Sequence, residues 1–81
     1  MGNEINKKRR NEKALKKLGE NIRHYRLLRK LTISELAFKC NTQDKTIYTY
    51  EHATVDMSIT MLTIVAKALE VSILQLLEGV E

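Results

Sequence analysis

Thr32-Ile-Ser-Glu35-Leu-Ala-Phe-Lys-Cys40-Asn-Thr-Gln-Asp-Lys45-Thr-Ile-Tyr-Thr-Tyr50-Glu51 is the stretch on which the reading of this chain turns. Its apolar or small residues recur at Leu36, Ala37, Cys40, Ile47 and Tyr50. That spacing describes the facing sides of two short helices that cross at a tight turn. Asn41 falls in the turn, where the backbone needs a positive φ that Asn tolerates better than most residues. Ala37 stands where the two helices meet, and a larger side chain there would push them apart.

Thr32 followed by Glu35 forms a capping box. The hydroxyl accepts from the Glu35 amide while the carboxylate reaches back to the Thr32 amide, so a helix is expected from about Ile33 to near Cys40. The next helix begins near Gln43 or Asp44, where a carboxylate favours the positive end of the helix dipole, and ends near Glu51. Its cap stays open among Thr42, Gln43 and Asp44. Two helices joined in this way make a helix-turn-helix, a motif whose second helix is suited to the DNA major groove.

Upstream, Leu15, Leu18, Ile22 and Tyr25 repeat every three or four residues and draw one buried stripe on a helix from about Lys13 to Lys30. Residues 1–12 hold little to bury and read as a flexible basic arm, leaving 13–81 as one DNA-binding domain. Downstream, His52 to Met57 lacks periodicity and reads as a loop. Ser58 then caps a fourth helix with Ile59, Leu62, Val65 or Ala66, and Leu69 inward. Ser72 caps a short fifth helix carrying Ile73, Leu76 and Leu77. The chain has no proline, strand signal or internal repeat, so the expected class is all-α.

Eighty-one residues allow one domain, and a hydrophobic fraction of 43% is enough for an efficient helical core. One cysteine cannot form an internal disulfide, no apolar run reaches membrane-spanning length, and the charged N-terminus lacks a signal-peptide core. These features predict a reducing, cytoplasmic setting. The net charge of +4 conceals a division: residues 1–30 carry eleven Lys and Arg against three Glu (+8), while residues 31–81 carry three Lys against seven acids (−4). A basic leading third suits a polyanion such as DNA.

Chemistry other than binding finds little support. No nucleophile with a base and an orienting group, glycine-rich phosphate loop or paired carboxylate stands out, so no enzyme is expected. Cys40 reads as a small apolar residue, and His24 and His52 lack ligand spacing, so no metal, cofactor or small-molecule ligand is expected.

The elements Leu18-Gly19-x-x-Ile22-x-x-x-Arg26, Leu31-Thr32-x-x-Glu35-Leu36-Ala37, Thr46-Ile47-x-x-Tyr50-Glu51 and Ala66-Lys67-Ala68-Leu69-x-Val71-Ser72-x-x-x-Leu76-Leu77 together resemble the phage-repressor and Cro family of bacterial regulators, also called Xre-type. The resemblance implies a five-helix, lambda-repressor-like domain that binds duplex DNA as a symmetric dimer. It places Gln43, Asp44, Lys45 and Thr49 at base-reading positions, with Tyr48 beside them. Their chemistry suits base recognition, since Lys donates to guanine, Asp accepts from cytosine, Gln pairs with adenine, and the Thr methyl meets a thymine methyl. The resemblance also implies an ion pair between Arg26 and Glu51 that fixes the angle of the reading helix. Leu74, with Val55, Met57 or Val80, is the expected dimer patch.

Three positions depart from the family pattern: Ile33 replaces a backbone-contacting Gln, Asn41 replaces the turn glycine, and His52-Ala53-Thr54-Val55-Asp56 replaces a loop of Gly plus basic residues. The grip on the DNA backbone is therefore expected to shift to Lys7, Lys8, Arg9 and Arg10 in the arm and to Lys16, Lys17 and Arg23 in the first helix. Thr42, His52 and Thr54 are further backbone candidates. Whether the arm enters a groove or follows the backbone stays open. The expected function is a sequence-specific transcription regulator, a repressor or operon controller acting as a homodimer on a palindromic operator. The alternative is a protein-interaction module, antitoxin-like or a scaffold, that keeps the fold without reading DNA; Ile33, Phe38 and Leu74 would then be its contacts.

Overall fold

A computed structural model describes residues 10–81 of the chain, so Lys7, Lys8 and Arg9 lie outside the described residues. Five helices follow one another: α1 (Glu12–Leu28), α2 (Ile33–Lys39), α3 (Asp44–Glu51), α4 (Ile59–Ala68) and α5 (Ile73–Leu76). No strand occurs among the described residues. None of these helices is long and apolar enough to cross a membrane.

Most boundaries follow local signals. The capping box between Thr32 and Glu35 is present, Ser58 accepts from the Met61 amide, and Ser72 forms a second capping box with Gln75. Helix α1 starts one residue earlier than periodicity alone suggested, because the Asn11 side chain accepts from the Ala14 amide and caps it. It also stops short of Lys30, at Leu28.

The first four helices end alike. Lys30, Asn41, Ala53 and Glu70 each have φ between 55° and 60° just past a helix end. In each case the following amide reaches back to a carbonyl five residues earlier: Leu31 to Arg26, Thr42 to Ala37, Thr54 to Thr49 and Val71 to Ala66. These are Schellman closures, a geometry that glycine adopts at least cost. Only Asn41 was expected there; the other three carry a full side chain in the left-handed region.

The core gathers Leu18 and Ile22 from α1, Leu36 and Ala37 from α2, Cys40, Ile47 from α3, Leu62, Val65 and Ala66 from α4, Leu69, and Leu76 from α5. Helix α3 packs on both α1 and α2, while α5 closes the other side against α1 and α4. Tyr25, Tyr50, Ile73 and Leu77 pack half-buried against this core. Ile59 corrects the expectation of an inward residue: it is 70% exposed. As the first residue of α4 its side chain points back past the helix start, beyond the edge of the core.

Candidate nucleic-acid interface

Helix α3 is held from behind by two devices. Arg26 is buried, and its Nε donates to Glu51 Oε2 at 2.6 Å, its Nη2 to Glu51 Oε1 at 3.1 Å, and its Nη1 to the Leu31 carbonyl at 2.8 Å. The side chains of this pair are 9% and 2% exposed. A forked contact between buried partners fixes both distance and rotation. The ion pair expected from the sequence is therefore in place, and Glu51 presents no free charge to a polyanion.

The second device is Gly19, where a Cβ would lie 2.5 Å from the Glu51 carbonyl oxygen and 2.7 Å from that of Tyr50. Only a residue without a side chain lets α1 pass this close to the end of α3. A glycine inside a helix costs about 0.5–1 kcal/mol relative to alanine. That cost was the signal in the sequence that a backbone approaches here.

With Ile47, Tyr50 and the Glu51 side chain turned inward, Asp44, Lys45, Tyr48, Thr49 and His52 share the outward face of α3. Gln43 precedes it as the N-cap and makes no side-chain capping bond, unlike Thr32, Ser58 and Ser72. Its amide group stays exposed. Asp44 hydrogen-bonds Ser34 of α2, so one carboxylate oxygen is engaged and the start of α3 is tied to the start of α2. Lys45 is exposed, while Thr49 is half-buried with its hydroxyl donating to the Thr46 carbonyl at 2.7 Å. Its methyl group is thus the part left for contact.

Tyr48 and His52 form a stacked pair, with ring centroids 3.9 Å apart and planes 17° from parallel. His52 Nδ1 lies 2.9 Å from the Tyr48 carbonyl oxygen. A carbonyl accepts only, so Nδ1 carries the hydrogen and Nε2 faces away.

The proposed backbone contacts divide. Lys16 lies in the hollow formed by Glu12, Glu20, Glu51, His52 and Ala53, at the C-terminal end of α3. Arg23, two turns further along α1, is exposed on the same face of that helix. Lys17 faces the other way, lining a hollow with Asn21, Gln75 and Gly79 beside α5. Thr42 is half-buried, and its amide closes α2. Thr54 gives its carbonyl to Arg10 and its hydroxyl to the Thr49 carbonyl at 3.4 Å.

Arg10 departs most from expectation. Assigned to the arm as a phosphate contact, it instead donates from Nη2 to the Ala53 carbonyl at 2.9 Å and from Nη1 to that of Thr54 at 3.3 Å. Asn21 and Arg29 behave similarly: Asn21 donates to the carbonyls of Leu76 and Glu78, and Arg29 to those of Leu69 and Glu70. Part of the positive charge in residues 1–30 is therefore committed to carbonyls at helix ends, where a cation is favourable. Sequence reasoning missed all three because the partners lie at least 40 residues away.

Of the expected dimer patch, Leu74 is 83% exposed and Val55 is also exposed. Met57 and Val80 are half-buried against the core. Ile33 likewise packs against the core and so is not a free partner contact, whereas Phe38 is 87% exposed. Burial raises the Cys40 thiol above its usual range, so it does not offer a reactive thiolate. No cluster of three or more potential metal ligands occurs among the described residues.

The family profile described as "Helix-turn-helix" matches residues 22–76. No curated protein matches as a relative. Among solved structures, the chain is similar to a hypothetical transcription factor, NHTF, from Neisseria, at 26% identity and a TM-score of 0.74, covering 76% of this chain and 71% of that one. It is also similar to the restriction-modification controller protein C.AhdI from Aeromonas hydrophila, at 24% identity and a TM-score of 0.75, covering 76% of this chain and 94% of that one. With α2 and α3 crossed at a Schellman turn, α3 locked from behind, and the profile spanning most of the domain, the chain belongs to the helix-turn-helix family of DNA-binding proteins, in its Xre/Cro-like branch.

Proposed function

We propose that this protein is a sequence-specific transcription regulator that binds a palindromic duplex operator as a homodimer and represses or controls an operon by occupying its promoter. The observation that carries this reading is the outward face of α3. Gln43, Asp44 and Lys45 are exposed at the front of a helix whose back is fixed by Arg26 and Gly19. A reading helix needs this rigidity, because a bidentate base contact tolerates little error in angle. Lys45 is the donor for guanine, Gln43 pairs with adenine, the Asp44 oxygen not held by Ser34 accepts from cytosine, and the Thr49 methyl meets thymine. Tyr48, stacked on His52, flanks this set.

Selection of bound duplexes from a randomised pool tests the proposal. Enrichment of an inverted repeat with half-site centres about ten base pairs apart is the expected result. A pool that stays random at near-physiological salt would overturn it.

Phe38 supports a second reading, in which the fold serves as a protein-interaction module. Its ring stands exposed beside a hollow lined by Leu31, Ser34, Glu35 and Lys39. On that reading Phe38→Ser abolishes partner binding and leaves affinity for heterogeneous DNA unchanged and weak.

A further inference from the structure

Tyr48 and His52 lie four residues apart on the outward face of α3, a spacing at which helical side chains stand one above the other. The Tyr48 carbonyl is held twice by the same residue. The His52 amide donates to it at 3.0 Å, and the His52 ring donates to it from Nδ1 at 2.9 Å. Two bonds from one residue to one oxygen leave the imidazole little freedom to turn. The imidazole in turn lies against the Tyr48 phenol ring, with centroids 3.9 Å apart and planes 17° from parallel. Neither ring belongs to the core, so the stack is an ordered aromatic pair on the surface. Tyr48 is still 51% exposed, which leaves the face and edge away from His52 open.

With Nδ1 committed to the carbonyl, Nε2 of the neutral ring holds a lone pair. A phosphodiester oxygen only accepts, so this ring has no hydrogen to give to the DNA backbone, the role expected of it from the sequence. Lys16, in the hollow beside it, is the donor left for a phosphate there. We infer that His52 is instead a positioning residue for Tyr48: it holds the phenol ring in one rotamer, so that the open face of the ring makes an apolar contact with the C5-methyl group of a thymine. The inference rests on the DNA-binding reading above and gives Tyr48 one base to read. The thymine methyl is the apolar feature of the major groove, and an aromatic ring is a partner of matching chemistry. An unheld tyrosine loses rotamer freedom when it binds, whereas a ring already stacked meets the methyl without that cost.

The probe is the duplex that the full-length natural chain selects from a randomised pool, with copies in which one thymine at a time is replaced by uracil, which lacks only the methyl. One such replacement is expected to weaken binding about fourfold, the worth of one buried methyl-sized group. Tyr48→Phe should keep that penalty and Tyr48→Ala should lose it. In His52→Ala the penalty is expected to fall below about twofold, the signature of coupled residues. His52→Phe keeps a ring to stack on Tyr48 and should retain most of it. Affinity for heterogeneous duplex DNA, and its slope against log salt, should be the same in His52→Ala as in the natural chain, because no phosphate contact is lost. A penalty undiminished in His52→Ala would overturn the positioning role. If no thymine shows a penalty that disappears in Tyr48→Ala, the contact itself is overturned. A flatter salt slope in His52→Ala would make His52 a phosphate ligand and overturn the inference equally. A pool that yields no selected duplex sinks the DNA-binding reading and this inference with it, whereas a selected duplex without the coupling sinks the inference alone.

Discussion

Gly19 of α1 and Glu51 of α3 touch backbone to backbone: the missing Cβ of Gly19 would stand 2.5 Å from the Glu51 carbonyl oxygen. The same Glu51 sends its carboxylate to Arg26, two turns further along α1. One helix thus holds the last residue of α3 through both its main chain and its side chain. Gly19→Ala is expected to force the two helices apart, at a cost of about 1–3 kcal/mol for overpacking. Affinity for the selected operator should fall beyond what the fraction unfolded explains. Thermal unfolding and titration on one preparation check this.

Breaking the ion pair should cost more. Arg26→Met leaves the Glu51 carboxylate buried without its partner, and an orphaned buried charge destabilises by about 3–5 kcal/mol. Arg26→Met combined with Glu51→Leu removes both charges and should recover much of that loss. Urea denaturation of the single and double variants decides the matter. A double variant as unstable as the single would show that the pair contributes more than mutual neutralisation.

Ala53 has φ of 58°, a conformation that costs an L-residue about 1–2 kcal/mol and glycine nothing. Glycine also loses more freedom on folding, so Ala53→Gly is expected to stabilise by roughly 0.5–1 kcal/mol net. The Arg10 bonds go to main-chain carbonyls and survive the change. A higher midpoint of thermal unfolding, with unchanged DNA affinity, is the expected result.

Alkaline pH tests the core. Burial raises the Cys40 thiol above its ordinary 9.0, and burial together with the charge of Cys40 raises Tyr50 above its ordinary 10.0. The unfolded chain therefore ionises these groups first. Stability they contribute is whole below the unfolded values and is lost as pH rises through the folded ones. Cys40→Ala removes the thiol's share, so the gap in unfolding midpoint between natural protein and variant should narrow above pH 9.0. A gap that stays constant would show that the thiol ionises equally in both states.

Leu74 stands exposed on α5 and is the strongest candidate for a two-fold contact. Burying a leucine contributes about 2 kcal/mol, so losing two copies across a symmetric interface should weaken a dimer on the order of a thousandfold. On the proposed homodimer, the natural chain is expected to sediment as a dimer and Leu74→Lys, at the same concentration, as a monomer. A variant that stays dimeric removes Leu74 from the interface.

Much of the fold was legible because its signals are local. Thr32 with Glu35, Ser58 and Ser72 act on amides three residues away, and Asn41 marks its own φ, so short windows of sequence carry the information. Of the stripe Leu15, Leu18, Ile22 and Tyr25 that helical period draws on α1, Leu18 and Ile22 enter the core and Tyr25 packs half-buried against it. The left-handed residues Lys30, Ala53 and Glu70 escaped notice because no composition signal marks a non-glycine there; the Schellman bonds impose the conformation. Ile59 was misplaced because period says which residues share a face but not where the core beneath that face ends.

The sequence by itself determined the five helices, their order and the residues on the outward face of α3, since caps, turns and periodicity are properties of near neighbours. Only the tertiary structure decided what the charges do. Arg10 reads as DNA-facing until the end of α3 is brought to it, and Arg29 is taken up in the same way by the end of α4. Lys16 and Lys17, adjacent in the chain, line different hollows, one beside the end of α3 and one beside α5. The physical reason is that a carbonyl left unpaired at a helix end is satisfied by whichever donor packing places beside it, and packing, which also turns Lys16 and Lys17 to different hollows, is set by the whole chain.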